Sequence, residues 1–287
     1  ISSNSIWSLY QDKTGIIWIG TYEKGLDIID PFHNKVLFYS DNPLHKSSLS
    51  YDNVSSFAEV ADKGLWIGTD GGGLNYLDYE TGHMQYFKEE SVSGLAGNAI
   101  LSLLIDSEGS LWTASWEGGV SIRRRNSNKF EQIYSDENKP NSLSDSDAFY
   151  LYEDSRGNIW VSLFRDGINI YDKRKNLLAK LRTDRNNRNS IRNQKVKCII
   201  EAEPGTFWLG TEGDGLEKIT VNENYEIISN VKIPTKGDQF KTLNHSVISH
   251  IHQDDNQKMW VTTFGSGVNV FDQSGALIKK ITTENGL

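Results

Sequence analysis

The 287-residue chain predicts an all-β fold made of six similar units, and three observations carry this prediction. A tryptophan recurs at steps of 48, 46, 48, 48 and 52 residues, a glycine follows each one after seven residues, and a branched aliphatic residue comes next. Each unit holds four short runs rich in β-branched and aromatic residues, without helical periodicity. Four-stranded units repeated about every fifty residues are typical of a β-propeller, whose blades stack face to face. The anchors are Trp18, Trp66, Trp112, Trp160, Trp208 and Trp260, with Gly25, Gly73, Gly119, Gly167, Gly215 and Gly267.

The first unit shows how each element is predicted. Residues 6–10 form an apolar, β-branched run, which predicts the first strand. The segment 12–15 then reads Asp-Lys-Thr-Gly, where the aspartate can close a turn and the glycine can adopt a positive φ. Residues 16–20, 26–30 and 36–39 predict the second, third and fourth strands. The unit is therefore predicted to be an antiparallel up-and-down sheet.

The other units repeat this plan with small departures. The turn of the second unit is one residue shorter, the fifth has Ala202 in place of the turn aspartate, and the sixth has Gln257 in place of the turn glycine. We expect the fifth and sixth turns to be looser for that reason. Each tryptophan is expected to pack between neighbouring blades, and each glycine to stand where a Cβ atom would clash at the start of the third strand.

The repeat also sets the expected domain boundaries. We predict one propeller over 1–287, with blades at 1–46, 47–91, 92–140, 141–188, 189–240 and 241–284. Residues 285–287, Asn-Gly-Leu, resemble the Asn-Ser-Leu spacer at 141–143 and are expected to begin a further repeat. The chain is therefore expected to be a piece of a longer protein.

Composition narrows the classes of function. The net charge of −8 comes without a basic stripe, which argues against nucleic-acid contact. The single Cys198 excludes an intramolecular disulfide framework, and no apolar run is long enough to span a membrane. No cofactor is predicted.

The pattern Ser-Ile-x-Ser-Leu-x-x-Asp-x-x-Gly-x-x-Trp-Ile-Gly-Thr, with Gly-Leu-Asp after it and spacers of the Asn-Ser-Leu type, resembles the two-component regulator propeller repeat. The second unit, Leu65-Trp-Ile-Gly-Thr-Asp-Gly-Gly-Gly-Leu-Asn75, matches it best, and the third, with Thr113-Ala-Ser115, departs most. The resemblance covers all six units. In that family the repeats build seven-bladed propellers, often two in tandem, that form the periplasmic sensor region of hybrid histidine kinases in Bacteroides-like bacteria.

The resemblance implies a non-catalytic sensor module that binds an oligosaccharide from polysaccharide breakdown and signals to a cytoplasmic kinase. It implies a seven-bladed parent propeller or two propellers, so further blades and downstream domains of the same chain are expected partners. The part of the protein given by this sequence is expected to be periplasmic. A homodimer is the form in which a bound ligand would change the signal.

Candidate ligand-binding residues stand four positions after each tryptophan, in the loop before the third strand. Four of these six residues are aromatic and two are acidic, a combination suited to sugars, because aromatic faces stack on sugar rings and charged groups bind hydroxyls. The candidates are Tyr22, Asp70, Trp116, Phe164, Glu212 and Phe264, together with the neighbouring Arg165. The alternative is that the aromatic residues only cap the apolar layer between blades.

The sequence also fits two other functions. The turn-and-tryptophan pattern also resembles virginiamycin B lyase, and His250 and His252 on one strand face are the residues that such an enzyme could use. Two histidines are too few to predict a zinc site, and the triple glycine at 71–73 lacks the Lys-Ser/Thr of a phosphate loop. A protein-interaction scaffold is the third alternative.

Overall fold

The computed structural model describes residues 1–33, 35–42, 48–235 and 242–284. Within these residues the chain forms twenty-four strands in six four-stranded antiparallel sheets, each paired in chain order. The strands, blade by blade, are β1 (Ile6–Gln11), β2 (Ile17–Thr21), β3 (Leu26–Asp30) and β4 (Lys35–Tyr39); β5 (Val54–Val60), β6 (Gly64–Thr69), β7 (Gly73–Asp78) and β8 (Met84–Phe87); β9 (Ile100–Ile105), β10 (Leu111–Ser115), β11 (Gly119–Arg123) and β12 (Phe130–Ile133); β13 (Ala148–Glu153), β14 (Ile159–Leu163), β15 (Ile168–Tyr171) and β16 (Leu177–Leu181); β17 (Val196–Glu203), β18 (Thr206–Thr211), β19 (Leu216–Val221) and β20 (Ile227–Ile233); β21 (Ile248–Gln253), β22 (Met259–Thr263), β23 (Gly267–Phe271) and β24 (Leu277–Ile281).

The predicted fold class is confirmed: the protein is an all-β propeller with six four-stranded blades. Among the described residues no helix is long and apolar enough to cross a membrane. The predicted start of a further repeat at 285–287 lies outside the described residues. The chain divides into two compact units, the first made of Ile1–Asp136 with Ser146–Leu151 and the second of Glu137–Asp145 with Tyr152–Leu287.

Within the first unit, the tryptophans of blades 1 and 2 each pack against the blade that follows. Trp18 of blade 1 lies in one buried cluster with Val54 and Leu65 of blade 2. Trp66 of blade 2 lies in the next cluster with Ile100 of blade 3. One large indole thus fills each of these two gaps, and burying about 150–250 Å² of aromatic surface contributes several kcal/mol per indole.

The turn aspartates hold these indoles in place, a contact that the sequence reading did not foresee. In blade 3 the indole Nε1 of Trp112 donates to Asp106 Oδ2 at 2.8 Å, while Asp106 Oδ1 accepts the backbone N–H of Ser110 at 2.8 Å. One carboxylate thus closes the hairpin turn with one oxygen and binds the core indole with the other. The same pair of contacts occurs in blades 1, 4 and 6, through Asp12, Asp154 and Asp254.

The expectation of a looser sixth turn was wrong. Gln257 takes the left-handed conformation, with φ of 59°, that glycine supplies elsewhere. Its N–H still donates to the carbonyl of Asp254 at 2.8 Å, and Trp260 still donates to the Asp254 carboxylate. A single long polar side chain tolerates this conformation at modest cost, so the turn keeps its form.

The repeated glycines stand at the start of the third strand with positive φ, for example 77° at Gly25 and 74° at Gly167. A Cβ atom on Gly167 would lie far inside van der Waals contact with the carbonyl oxygen of Leu181. The N–H of Gly25 donates to the carbonyl of Asp52 at 2.8 Å, in the connection to blade 2. The glycine therefore joins the loop of one blade to the start of the next.

A second repeated contact anchors the connections between blades. The residue nine positions after each tryptophan is polar and buried, and it binds a backbone N–H of the spacer 25 positions away, as Asn75 does for Ser50 at 2.9 Å. In blade 5 this residue is Glu217, which accepts the N–H of Arg192 and the side-chain amide of Asn230. Burial raises the pKa of the Glu217 carboxyl.

Candidate functional site

The six predicted ligand-binding positions lie in the loops that join the second and third strands of the blades. In five of them the backbone N–H donates to the carbonyl of the residue just before the first strand of the same blade. These pairs are Tyr22 with Ser5, Asp70 with Asn53, Trp116 with Ala99, Glu212 with Lys195, and Phe264 with Val247. Because the connection from the preceding blade enters at that residue, loop and connection form one surface at the same end of each blade.

In the first unit, an exposed aromatic pair marks this surface. Tyr22 is 47% exposed and Trp7 is 40% exposed, and their ring centroids lie 5.6 Å apart with the planes tilted by 46°. Beside them, Glu23 takes a positive φ of 64°, and its N–H donates to Asn53 Oδ1 at 2.7 Å. A side chain from the next connection thus fixes the loop that carries Tyr22.

Asp70 and Trp116 occupy the equivalent loops of blades 2 and 3. Both are half-buried, and residues 70 and 99 form an isolated antiparallel bridge that brings the loop of blade 2 to the connection before blade 3. Partial burial raises the pKa of the Asp70 carboxyl. The N–H of Trp116 donates to the carbonyl of the same Ala99 at 2.9 Å, so Ala99 links the backbones of both positions.

In the second unit, Lys195 connects two of the predicted residues. Its Nζ atom lies 4.3 Å from the ring centroid of Phe164 and 4.0 Å from Glu212 Oε1. The Lys195 and Glu212 side chains are each about one-third exposed, at 36% and 37%. A cation, a carboxylate and an aromatic ring therefore share one surface, where a hydroxylated ligand could find both hydrogen-bond donors and acceptors.

Ion pairs stiffen the loops around this cluster. Arg165 binds Asp145, with 2.9 Å between Nη2 and Oδ1 and 3.0 Å between its backbone N and Oδ2. Arg182 binds Asp166 through two nitrogens on the same oxygen, at 2.9 and 2.6 Å. Arg165, predicted to contact a ligand, thus already has a carboxylate partner that orients its guanidinium group.

Phe264 is the most exposed of the predicted aromatic residues, at 71%. Its loop is joined to Val247, which also forms an isolated bridge with Glu212 of the preceding blade. The backbone of blade 6 is therefore adjacent to the Glu212 loop. The Phe264 ring stands in solvent, which is the arrangement of a contact residue rather than of a core residue.

Sequence reasoning missed Trp7 and Lys195. The repeat could have identified both, because the same positions recur in every unit. Lys195 stands immediately before the first strand of its blade, and Trp7 is the second residue of the first strand of its blade. Both positions lie outside the loop after the tryptophan.

The other candidates lie on a strand or are buried. His250 and His252 are exposed on β21, the first strand of blade 6, where they pair with Thr262 and Trp260. Cys198 is buried, and burial raises the pKa of its thiol to about 12. Among the described residues, no group of three or more His, Cys, Asp and Glu is placed to hold a metal ion.

Comparison with known proteins assigns the repeat. Three segments, residues 1–23, 48–71 and 142–165, match the family model described as two component regulator propeller. These segments are two-component regulator propeller repeats. Each matched repeat runs from a spacer through two strands into the loop that carries Tyr22, Asp70 or Phe164. No match was found among curated proteins.

Solved structures resemble the whole chain at low sequence identity. The extracellular domain of a hybrid two-component system from B. thetaiotaomicron has a TM-score of 0.71 and 20% identity, and the match covers 100% of this chain and 42% of that one. The extracellular domain of a one-component system from the same organism has a TM-score of 0.73 and 23% identity, covering 97% and 36%. Virginiamycin B lyase from Staphylococcus aureus, solved with quinupristin, has a TM-score of 0.69 and 14% identity, covering 96% and 84%. This chain therefore spans about two-fifths of the length of the first two structures.

Proposed function

We propose that the chain is a non-catalytic, extracytoplasmic sensor module of a hybrid two-component system histidine kinase, and that it binds oligosaccharides released from polysaccharides. The observation that carries the proposal is the character of the loops between second and third strands in each unit. In the first unit Tyr22 is exposed beside Trp7, and in the second unit Phe264 is exposed and Lys195 contacts both Phe164 and Glu212. Exposed aromatic rings next to ordered donors and acceptors suit sugar rings, which have apolar C–H faces and hydroxyl edges.

The comparisons support the proposed location of the chain and its proposed place in a signalling protein. The chain carries two-component regulator propeller repeats, and two of the similar structures are extracellular domains of signalling systems. The extracytoplasmic, periplasmic location and the link to a kinase are inferred from that likeness. Because those structures are much longer, further domains of the same protein are proposed as partners.

A further blade of the same chain is one such proposed partner. On blade 1, Leu9 is 67% exposed and Ile6 is exposed as well, whereas Val54, the counterpart of Ile6 in blade 2, is fully buried against blade 1. Large apolar side chains on a strand face need cover. We expect Leu9→Thr to leave the stability of the 287-residue chain nearly unchanged and to destabilise a longer chain that contains the covering blade.

We propose that signalling passes through a homodimer whose arrangement changes on binding. A ligand can shift such an equilibrium only by as much as its affinities for the two arrangements differ. Sedimentation of the longer protein with and without ligand tests this step. A sedimentation coefficient that a saturating ligand does not change would contradict it.

The sensing function is tested by isothermal titration calorimetry of the chain against a panel of plant and host oligosaccharides. Wild-type protein should bind at least one member saturably. Trp116→Ala and Phe164→Ala, one in each unit, should weaken that binding at least tenfold, which corresponds to about 1.4 kcal/mol. Phe38→Ala, which removes an exposed ring from the outer strand of blade 1, is the control and should bind like wild type.

The two alternative functions give different outcomes in the same experiments. If His250→Ala together with His252→Ala abolishes turnover of a lyase substrate, the chain is an enzyme; the sensor proposal expects no turnover and unchanged saccharide affinity. If no saccharide binds to well-folded protein while a partner protein binds in a manner sensitive to Trp116→Ala, the surface is a protein-interaction scaffold.

A further inference from the structure

Tyr51, in the connection between blades 1 and 2, lies on the triple-glycine loop at 71–73. A Cβ atom on Gly71 would stand 3.0 Å from Cε1 of the Tyr51 ring, and one on Gly72 would collide with Tyr51 Cβ. Only a loop without side chains leaves room for the ring at this place. Tyr51 nevertheless remains 42% exposed, so its other surface faces solvent.

The residues on both sides of Tyr51 are held by hydrogen bonds. The N–H of Ser50 donates to the buried Asn75 at 2.9 Å, and Asn75 Nδ2 donates back to Ser50 Oγ at 2.9 Å. The carbonyl of Asp52 accepts the N–H of Gly25 at 2.8 Å, and its carboxylate accepts the N–H of Asp41 at 2.6 Å. An aromatic ring fixed in this way loses little conformational entropy when a ligand stacks on it.

Asp70, which carries a carboxylate, immediately precedes Gly71, and Gly71 packs against the Tyr51 ring. No described residue donates a hydrogen bond to that carboxylate, although the residue is half-buried. A partly desolvated carboxylate without a donor is poised to accept hydrogen bonds from a ligand. The N–H of Asp70 donates to the carbonyl of Asn53 at 2.9 Å, so the backbone that carries it is fixed to the same connection as Tyr51.

The carboxylate of Asp70 also bears on the charge of a ligand at this place. An anionic sugar would meet like charge at that carboxylate. A neutral sugar instead donates hydroxyl hydrogen bonds to the carboxylate without this repulsion.

We propose that Tyr51 and Asp70 form one subsite of the saccharide-binding surface, in which a neutral pyranose stacks on the Tyr51 ring and donates a hydroxyl hydrogen bond to Asp70. The inference rests on the proposed saccharide-sensing function and deepens it in two respects. It adds Tyr51, which lies outside the repeated loop position, and it selects neutral over acidic saccharides.

The test uses the 287-residue chain and calorimetry with neutral oligosaccharides of glucose, xylose, galactose and mannose, alongside oligogalacturonates as the acidic probe. For the saccharide that binds, Tyr51→Ala should lower the affinity at least tenfold, and Tyr51→Phe should stay within about twofold of wild type, because stacking needs the ring and not the hydroxyl. Asp70→Asn should lower the affinity about tenfold by weakening the accepted hydrogen bond. Tyr134→Ala is the matched control, since Tyr134 lies in the same unit and is 45% exposed.

The outcomes separate this subsite from the wider proposal. Saccharide binding that Trp116→Ala weakens but Tyr51→Ala leaves unchanged overturns the subsite and keeps the sensing function. Binding of oligogalacturonate in preference to every neutral saccharide overturns the selectivity. Absence of binding across the whole panel, with the melting temperature unaffected, overturns both.

Discussion

The carboxylate of Asp106 is predicted to stabilise blade 3 by linking a hairpin turn to a core indole. Trp112 is fully buried and its Nε1 donates to Asp106 Oδ2 at 2.8 Å, while Oδ1 accepts the N–H groups of Glu108 and Ser110 at 3.0 and 2.8 Å. In Asp106→Ala the buried indole N–H loses its acceptor, which costs about 1–3 kcal/mol. Loss of the two turn contacts, which water partly replaces, adds about 0.5–1 kcal/mol each. The expected loss is therefore about 2–5 kcal/mol.

Blade 6 offers a matched control for this substitution. Asp254 accepts the same three groups, from Trp260, Asn256 and Lys258, at 2.8 to 2.9 Å, but Asp254 and Trp260 are only half-buried. Water can replace the acceptor of the indole there, which leaves the two turn contacts at about 0.5–1 kcal/mol each, so Asp254→Ala should cost about 1–2 kcal/mol. Urea unfolding followed by tryptophan fluorescence measures both variants. Equal losses, or a loss below about 1.5 kcal/mol for Asp106→Ala, would refute the argument that burial determines how much the indole hydrogen bond stabilises the blade.

Two further predictions concern stability. Gly167→Ala should lower the unfolding free energy by about 2–4 kcal/mol, because the new Cβ meets the carbonyl of Leu181, whereas Gly265→Ala, at a similar positive φ of 66° with open space around it, should cost about 1 kcal/mol. Thermal melting of the pair checks this, and equal shifts would show that the clash is relieved by backbone movement. Burial raises the pKa of Glu217 above its value in the unfolded chain. Between these two pKa values the folded chain binds more protons than the unfolded chain, so the free energy of unfolding falls as the pH rises through this window. Glu217→Gln should therefore reduce the change in urea midpoint between pH 5 and pH 7. If the variant keeps the pH dependence of the wild type, groups other than Glu217 cause that dependence.

Much of the fold was predictable because each blade repeats the same physical solution. The tryptophan and glycine spacing predicted six four-stranded blades, since an indole of that size and a residue that tolerates positive φ are required once per blade. The hydrogen bond from Trp112 to Asp106 was not predicted, because residues six positions apart meet only after the hairpin has folded. The looser turn predicted at Gln257 is not found for a related reason: backbone hydrogen bonds, and not the side chain of Gln257, maintain the turn.

The candidate site was only partly predictable. The loop position after each tryptophan was visible in the repeat, and those residues do lie in one type of loop. Lys195 and Tyr51 come from the connections between blades, and their proximity to Phe164 and to Gly71 depends on how successive blades are joined. Sequence periodicity aligns equivalent positions, but it does not show which different positions become neighbours.

The most direct test of a sensing surface is hydrogen–deuterium exchange of the chain with and without the saccharide identified by calorimetry. Protection should concentrate in the loops between second and third strands, at 21–26, 69–74, 115–120, 163–168, 211–216 and 263–268, and in the adjoining connection that carries Tyr51. Protection confined to the hairpin turns at the opposite end of the blades, at 12–15 and 106–109, would place the ligand elsewhere and contradict the proposed site.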